Sequence, residues 1–230
     1  ADIQFMYVAG NNLLANDPGT GKTVSTLTVT RTIHLQRGNA LPMLIMCPKS
    51  VIRHWGKHFA RWFPEATPYM AIGSTLQKRK VIDKASTDPT AALIINIEAV
   101  RFHSRLAPYG AVRLARCADC ERSIDDDTTT VTPSRCEVHQ KELNFIPFKT
   151  SILDEAHRVK DPTAKQTRAV WYVGHTESVV NRWALTGTPI ANQVGDLWSV
   201  MHFVQPDEYP AKSAFVDRYA LFTWNDYGTM

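Results

Sequence analysis

Short, nearly uninterrupted apolar runs alternate along the chain with longer segments in which apolar residues recur every three or four positions. The short runs predict strands at 12–15, 43–47, 68–72, 92–97, 150–153 and 182–185. The longer segments predict helices at 22–35, 50–63, 75–85, 163–172 and 196–204. Because most of these strands are apolar without strict alternation, both faces of their sheet should be covered, as in a parallel sheet. The pattern therefore predicts an α/β fold, with a mostly parallel sheet flanked by helices.

One stretch, residues 102–148, breaks this alternation. It contains three of the four cysteines, a run of three aspartates followed by three threonines, and a proline. We interpret it as an insertion between two strands of the sheet. The chain then divides into a first part at 1–101, the insertion at 102–148 and a second part at 149–230.

Composition places few limits on function. The chain has 230 residues, of which 44% are hydrophobic and 21% charged, with a formal net charge of +4. These values are typical of one globular domain carrying an insertion, and the mild positive charge permits a nucleic-acid partner without requiring one. No apolar run is long enough to span a membrane and no signal peptide opens the chain, so we expect an intracellular protein with no membrane partner. The missing initiator methionine suggests either processing or a piece of a longer protein.

A glycine-rich turn lies between the first predicted strand and the first predicted helix. Gly19 and Gly21 allow successive backbone N–H groups to point at one anion, and the helix that follows adds its dipole. Lys22 would then reach the β- and γ-phosphates of a nucleotide, and the Thr23 hydroxyl would ligate Mg²⁺. Asn16 replaces the glycine that the strict phosphate-loop pattern has six residues before the lysine. The alternative is an ordinary glycine-rich turn before a helix.

Two adjacent carboxylates end the apolar strand at 150–153. In phosphate-loop enzymes a carboxylate at such a strand end holds Mg²⁺, which here would be Asp154 acting through water. Glu155 would accept a proton from the attacking water, and His157 would relay the state of the nucleotide to another element. The alternative is a solvated strand end.

A third motif, Thr186-Gly187-Thr188, follows the strand predicted at 182–185. Small hydroxyl residues at this strand end could contact the acidic motif and change partners with the state of the nucleotide. By its chemistry alone the segment is equally well explained as a turn.

Taken together, these motifs resemble the Swi/Snf-type ATPases of helicase superfamily two, which move along double-stranded DNA. The matching segments are 13–23, 48–55, 154–157, 185–192, 196–198 and 202–203. The resemblance implies the first RecA-like, phosphate-loop lobe of a two-lobed motor, with a second lobe beyond this chain. It implies that ATP and Mg²⁺ are bound by Asp17, Gly19, Thr20, Gly21, Lys22, Thr23 and Asp154. Lys22, Asp154 and Glu155 would be the catalytic residues.

The resemblance also implies roles in coupling and in DNA binding. His157, Thr186, Gly187 and Thr188 would couple the nucleotide site to DNA and to the second lobe. The nucleic-acid contacts would come from Pro48, Lys49 and Ser50, although a solvated lysine and an ordinary helix cap explain these residues equally well. One departure from the family is Asn16-Asp17-Pro18, where an Asp-Glu pair followed by Met is usual. Since this change leaves Lys22 and Thr23 intact, we expect phosphate binding to survive.

Within the insertion, the cysteines have the spacing of a metal site. Cys117 and Cys120 form one pair, and Cys136 and His139 form a second pair after fifteen intervening residues. Three thiolates and one imidazole fill all four positions of a tetrahedral Zn²⁺ ion, which describes a structural zinc-binding insertion. The alternative is three free thiols in a loop.

Two other functions remain compatible with the sequence. One is a zinc-bearing module that binds nucleotide and DNA or protein without hydrolysis, although the intact Lys22, Asp154 and Glu155 argue against it. The other is the motor lobe of an RNA helicase or of a restriction enzyme. For the favoured function, we expect the chain by itself to hydrolyse ATP barely at all, because the second lobe would supply the other wall of the site.

Overall fold

A computed structural model of the chain describes residues 2–104, 143, 146–189 and 194–220. Within these residues, six parallel strands form one sheet in the order β1-β6-β5-β2-β4-β3. The strands are β1 (Asn12–Leu14), β2 (Met43–Cys47), β3 (Thr67–Ala71), β4 (Ala91–Asn96), β5 (Thr150–Asp154) and β6 (Asn181–Leu185). The predicted α/β fold with a parallel sheet is therefore confirmed.

Helices cover both faces of the sheet. They are α1 (Asp2–Ala9), α2 (Lys22–Arg37), α3 (Ile52–Trp62), α4 (Thr75–Ser86), α5 (Ile97–His103), α6 (Lys165–Gly174), α7 (Val194–Val204) and α8 (Lys212–Tyr219). Short 3₁₀ turns occupy Lys49–Val51 and Ala156–Val159. None of the helices in the described part of the chain is both long and apolar enough to cross a membrane.

Each central strand sends alternate side chains to opposite faces, and this builds two separate cores. Met43, Ile45 and Cys47 of β2 pack with residues of α1, α2 and α3, whereas Leu44 and Met46 pack with residues of α4, α5, α6 and α7. All five of these β2 side chains are fully buried. A strand that must be apolar on both faces explains why its sequence shows no alternation.

The predicted elements agree with the structure to within one or two residues at most ends. Three helices were missed, namely α1, α5 and α8. Helix α5 was missed because it begins at Ile97, directly after the last residue of β4. Its first residue continues the apolar run of the strand, so the sequence extended that strand through Ile97.

The four predicted zinc ligands, Cys117, Cys120, Cys136 and His139, lie outside the described residues. Both ends of the predicted insertion are described, and each contributes buried residues, although Phe102 at its start is 49% exposed. Ser104 is inaccessible to solvent on one side, and Leu143, Ile146 and Phe148 belong to the core beneath α4–α7 on the other. The lobe therefore holds both ends of this segment against its own core.

Candidate functional site

The parallel strands bring their carboxyl ends to one edge of the sheet, where three of the sequence motifs meet. The phosphate loop follows β1, the acidic motif follows β5, and the Thr186-Gly187-Thr188 turn follows β6, which pairs with both of the other strands. The order of the strands therefore places the turn between the other two motifs.

The loop between β1 and α2 is an open cradle for an anion. Gly19 and Gly21 have φ angles of +83° and +87°, and a Cβ atom added to either glycine would meet nothing within 4 Å. Gly21 is the N-cap of α2 and provides no side-chain hydrogen bond to the first N–H groups of that helix. Uncapped N–H groups at a helix N-terminus favour a phosphate, and the open space above the glycines gives it room.

Lys22 lies across this loop. Its Nζ atom donates hydrogen bonds to the carbonyl oxygens of Asn16, at 2.7 Å, and Asp17, at 3.0 Å. The Thr20 hydroxyl also donates to the Asp17 carbonyl, at 2.8 Å. The side chain of Asn16 turns away and donates to an Asp2 carboxylate oxygen at 2.8 Å. Asn16 therefore faces Lys22 with its backbone carbonyl and not with its side chain. Because every residue type has this carbonyl, the departure from the family pattern at Asn16 does not change the contact with Lys22.

Asp154 ends β5 with its carboxylate largely buried. Its Oδ2 atom accepts a hydrogen bond from the Trp55 indole nitrogen at 2.8 Å, and its Oδ1 atom accepts one from the Glu155 backbone N–H at 3.0 Å. Burial raises the pKa of Asp154, and the hydrogen bond from Trp55 and the charge of Lys22 oppose that rise. Since the charge of Lys22 acts on Asp154, the phosphate loop and the acidic motif share one electrostatic site.

Glu155 has a backbone conformation that is unusual for its residue type. Its φ and ψ angles are 52° and 51°, in the left-handed region, and it is the one described residue other than glycine with a positive φ. The turn lifts the side chain out of the line of β5 and leaves it 40% exposed. Such strain in a residue other than glycine is typical of functional sites.

His157 connects the acidic motif with the turn after β6. Its Nδ1 atom lies 3.1 Å from the Thr186 hydroxyl, 3.2 Å from the Thr188 hydroxyl and 3.4 Å from Oε2 of Glu155. The Thr188 N–H donates to the Thr186 hydroxyl at 3.1 Å and holds the turn in shape. One ring nitrogen therefore faces three side-chain oxygens from two motifs.

The same turn touches the phosphate loop. A Cβ atom added to Gly187 would lie 2.9 Å from Cδ of Pro18. Only a residue without a side chain allows this approach. Pro18, the other departure from the family pattern, thus forms the contact between the two loops.

A second cleft lies at the carboxyl ends of β2 and β4. It has a volume of about 770 Å³ and its lining includes Pro48, Lys49, Ser50, Arg53, Ile72, Asn96, Glu98 and Arg158. Lys49 and Ser50 are exposed and Pro48 is buried. In the described part of the chain, Lys49 and Arg53 form no ion pair, so their charges face solvent.

Hydrogen bonds order the floor of this cleft. Asn96 accepts from Lys78 at 2.8 Å and donates to Glu98 at 2.9 Å, and Glu98 accepts from Arg158 at 3.0 Å. Burial, followed by the charge of Lys49, lowers the pKa of Lys78. Because Arg158 follows the acidic motif, the chain physically joins this cleft to the phosphate site.

The sequence missed Trp55, Glu98 and Arg158 as residues of the site. The helical spacing of Trp55 indicated a core residue, and its side chain is indeed 0% exposed. Only its indole N–H, which needs a partner when buried, signalled a polar contact, and the sequence did not identify Asp154 as that partner. No three His, Cys, Asp or Glu side chains within the described ranges are placed to hold a metal ion.

The residues at the phosphate loop fit a magnesium nucleotide. Thr23, in the first turn of α2, and Asp154 offer a hydroxyl and a carboxylate, and Mg²⁺ prefers such oxygen ligands. The open glycines and the uncapped helix leave space and donors for phosphate, and Lys22 supplies a cation next to both.

Comparisons with known proteins agree with this geometry. The sequence model of the SNF2-related domain matches residues 3–223. Chromodomain-helicase-DNA-binding protein 7 of Homo sapiens is 26% identical over 215 residues, which are 93% of this chain and 6% of that protein. Protein CHROMATIN REMODELING 4 of Arabidopsis thaliana is 27% identical over 214 residues, covering 91% of this chain and 8% of that protein. The chain thus spans less than a tenth of either relative.

A solved structure shares the fold. It is the Sulfolobus solfataricus SWI2/SNF2 ATPase core in complex with dsDNA, which aligns with a TM-score of 0.58 at 23% identity. The alignment covers 95% of this chain and 36% of that one.

Proposed function

The chain belongs to the SNF2-related family of ATPase domains, and we propose that it is the first RecA-like lobe of a motor that couples ATP hydrolysis to movement along double-stranded DNA. The observation that carries the proposal is the meeting of three motifs at one edge of the sheet. Pro18 of the phosphate loop contacts Gly187, and His157 of the acidic motif faces Thr186 and Thr188. A phosphate site that contacts the turn after β6 in this way favours a motor over a module that binds nucleotide without hydrolysing it.

In this proposal the phosphate loop binds the nucleotide through its backbone and its lysine. The backbone N–H groups of Asp17 and of residues 19–23 surround the phosphates, since Pro18 has no N–H, and Gly19, Thr20 and Gly21 form the curve of the loop. Lys22 exchanges its two carbonyl partners for phosphate oxygens, which bind an ammonium more strongly because they are charged. Bound Mg²⁺ would neutralise charge on the β- and γ-phosphates, held by the Thr23 hydroxyl and, through water, by Asp154.

Glu155 is the base in the proposed hydrolysis. Its left-handed backbone and partly exposed side chain place a carboxylate beside the Asp154 carboxylate but free of the buried strand. A carboxylate in this position can accept the proton of an attacking water. His157, 3.4 Å from Glu155, then senses whether that carboxylate is engaged and passes the change to Thr186 and Thr188.

The cleft at the carboxyl ends of β2 and β4 is the proposed path for DNA. Lys49, which has no ion-pair partner among the described residues, offers a charge and Ser50 offers a hydroxyl, while Pro48 fixes the turn that presents both. Contacts to phosphates position a protein on DNA without reading its sequence, as a translocase requires. The solved structure with the shared fold holds double-stranded DNA, and this supports duplex DNA as the partner.

Two further parts complete the proposal. A second RecA-like lobe of the same protein would supply the opposite wall of the nucleotide site and the rest of the DNA path. The insertion would bind one structural Zn²⁺ ion through Cys117, Cys120, Cys136 and His139, without an open position for catalysis.

The test uses the full-length protein that contains this chain. We expect duplex DNA to stimulate ATP hydrolysis more than single-stranded DNA or RNA does, because the family resemblance is to duplex translocases. Preferential stimulation by RNA would instead indicate an RNA helicase. An absence of hydrolysis with every polymer would favour a module that binds nucleotide without turnover.

Two variants assign the activity to this site. Lys22→Ala should weaken nucleotide binding, because it removes the cation that faces the phosphates. Glu155→Gln should bind nucleotide normally but should not hydrolyse it, because an amide cannot accept the proton from water. Nucleotide titration and single-turnover hydrolysis measure these effects. Near-normal hydrolysis by the Gln variant would remove Glu155 from the role of base.

A further inference from the structure

The hydrogen bond between Trp55 and Asp154 joins two residues that are 99 positions apart. Trp55 lies on α3 and is fully buried, and its indole N–H reaches Oδ2 of Asp154 at 2.8 Å. A buried indole N–H needs an acceptor, and many backbone carbonyls satisfy that need elsewhere in proteins. Here the acceptor is the carboxylate that the proposed function assigns to magnesium.

This bond restrains a torsion that is otherwise soft. The carboxylate of an aspartate rotates easily about χ2, because a bond from a tetrahedral to a planar carbon has a broad energy profile. In Asp154 the Glu155 N–H holds one oxygen and the Trp55 indole holds the other. The two donors together fix the plane of the carboxylate, and each oxygen keeps a lone pair for a water molecule.

Helix α3 connects this bond with the DNA cleft. The helix begins directly after the 3₁₀ turn Lys49–Val51, whose first residues line that cleft. The buried residues Ile52, Trp55 and Phe59 form one row that locks α3 onto the sheet. Trp55 therefore lies in the first turn of the helix that directly follows the cleft-lining turn, and its ring is fixed in the core.

We propose that Trp55 is a positioning residue for ATP hydrolysis, which orients the Asp154 carboxylate towards hydrated magnesium. The proposal rests on the proposed function, since it requires Asp154 to serve magnesium. Removing a residue that orients a metal ligand commonly lowers metal affinity or activity by about 10- to 100-fold.

The experiment compares two tryptophan variants that lose the same chemical group. Trp55→Phe keeps an aromatic ring but loses the N–H. Trp183→Phe is the matched control, because Trp183 is equally buried and donates a bond of the same 2.8 Å length, but to the Gly10 carbonyl. A fluorescent ATP analogue is titrated into each protein at a series of Mg²⁺ concentrations and in EDTA, and circular dichroism monitors folding.

For Trp55→Phe we expect the affinity for the ATP analogue in EDTA to equal that of the wild type. Mg²⁺ should still increase this affinity, but the Mg²⁺ concentration that gives half of the increase should be about 10-fold higher. Trp183→Phe should match the wild type in both respects. In the full-length protein, Trp55→Phe should lower kcat in the presence of duplex DNA, and added Mg²⁺ should restore part of the loss. A purely structural role would not respond to Mg²⁺.

The Asp154→Ala background separates positioning from packing even if Trp55→Phe is less stable. There, Trp55→Phe should cause no further change in Mg²⁺ dependence, because no carboxylate remains to be oriented. If Trp55→Phe kept the Mg²⁺ dependence of the wild type, or if both tryptophan variants changed it equally, the role of Trp55 would be refuted but the proposed function would stand. A wild-type protein without any Mg²⁺ dependence of nucleotide binding would overturn the proposed function together with the role of Trp55.

Discussion

Glu155 shows at the scale of one residue what the site demands of the chain. A left-handed backbone costs a residue with a Cβ atom about 1–2 kcal/mol, and Glu155 adopts it at φ 52°. Glycine would remove that cost, but it would also remove the carboxylate. The strain is therefore consistent with a side chain retained for its chemistry.

The strain can be measured with two replacements that both remove the carboxylate. We expect the Glu155→Gly variant to be more stable than the Glu155→Ala variant, with a free energy of unfolding about 1 kcal/mol higher. Only alanine keeps the Cβ atom that causes the strain. Chemical denaturation measures the difference. If the alanine variant proved as stable as the glycine variant, the left-handed turn would carry no strain.

His175 makes the stability of the lobe depend on pH. Burial, followed by the charge of His202, lowers the pKa of His175 to about 4, and its Nε2 atom lies 3.2 Å from the Phe203 carbonyl oxygen. A histidine in the unfolded chain titrates near pH 6.5. Below that pH the unfolded chain binds a proton at His175, whereas the folded chain leaves this imidazole neutral. Stability should therefore fall as the pH drops from about 6.5 towards 4, by up to about 3 kcal/mol.

The control for this prediction is His175→Gln, which removes the titrating ring. Its free energy of unfolding should fall less steeply than that of the wild type across the same pH interval. Parallel pH profiles for the two proteins would show that other groups control the acid sensitivity. Arg182, which also lowers the pKa of His175, stays charged throughout and does not change the sign.

At the scale of elements, the turn after β6 and the phosphate loop are held at contact distance. Gly187→Ala would place a methyl group 2.9 Å from Cδ of Pro18, and the rigid ring of proline cannot turn away. We expect the phosphate loop to shift and nucleotide affinity to fall several-fold, with little loss of stability, since both loops lie at the surface.

Gly174→Ala provides the contrast for this prediction. Its added methyl group would collide with the ring of Phe203, in the core between α6 and α7 and away from the phosphate loop. It should lower the melting temperature but leave nucleotide affinity unchanged. Normal affinity in Gly187→Ala would mean that the two loops move independently.

The zinc-binding insertion should be a separate element. We expect one zinc ion per chain in protein purified without chelator, measured by elemental analysis. Chelation should loosen the insertion, because metal binding supplies folding free energy to a segment too small for a core of its own. Nucleotide affinity should persist, because the phosphate loop, the acidic motif and the turn after β6 follow strands β1, β5 and β6 and lie outside the insertion. A metal-free protein would refute the zinc site, and loss of nucleotide binding in Cys136→Ser would contradict its independence.

At the scale of the whole molecule, the sequence predicts the elements whose local pattern is strong, although it missed helices α1, α5 and α8. The strands were predicted because a parallel sheet buries both faces of each strand, and this leaves continuous apolar runs such as Met43–Cys47. The phosphate loop was predicted because glycines followed by Lys22 and Thr23 have few other uses. The contact between the acidic motif and the turn after β6 was anticipated from the motifs. The contacts of Trp55 with Asp154 and of Pro18 with Gly187 were not predicted, because no local pattern pairs these residues.

We propose that this chain forms one wall of a two-lobed nucleotide site. Its described residues bring together a phosphate loop, the proposed magnesium carboxylate and the proposed base. The charge that develops on the γ-phosphate also needs a cation from the opposite wall, and such an arginine contributes about 10³–10⁵ to the rate in other phosphate-loop enzymes.

The most direct test is steady-state ATP hydrolysis with and without duplex DNA, measured for this chain and for a protein extended through the second lobe. We predict that the chain alone binds nucleotide weakly, hydrolyses it barely and gains little from DNA, whereas the extended protein shows strong stimulation by duplex DNA. Robust DNA-stimulated hydrolysis by the chain alone would contradict the claim, because an arginine within these residues or from a second copy would then complete the site.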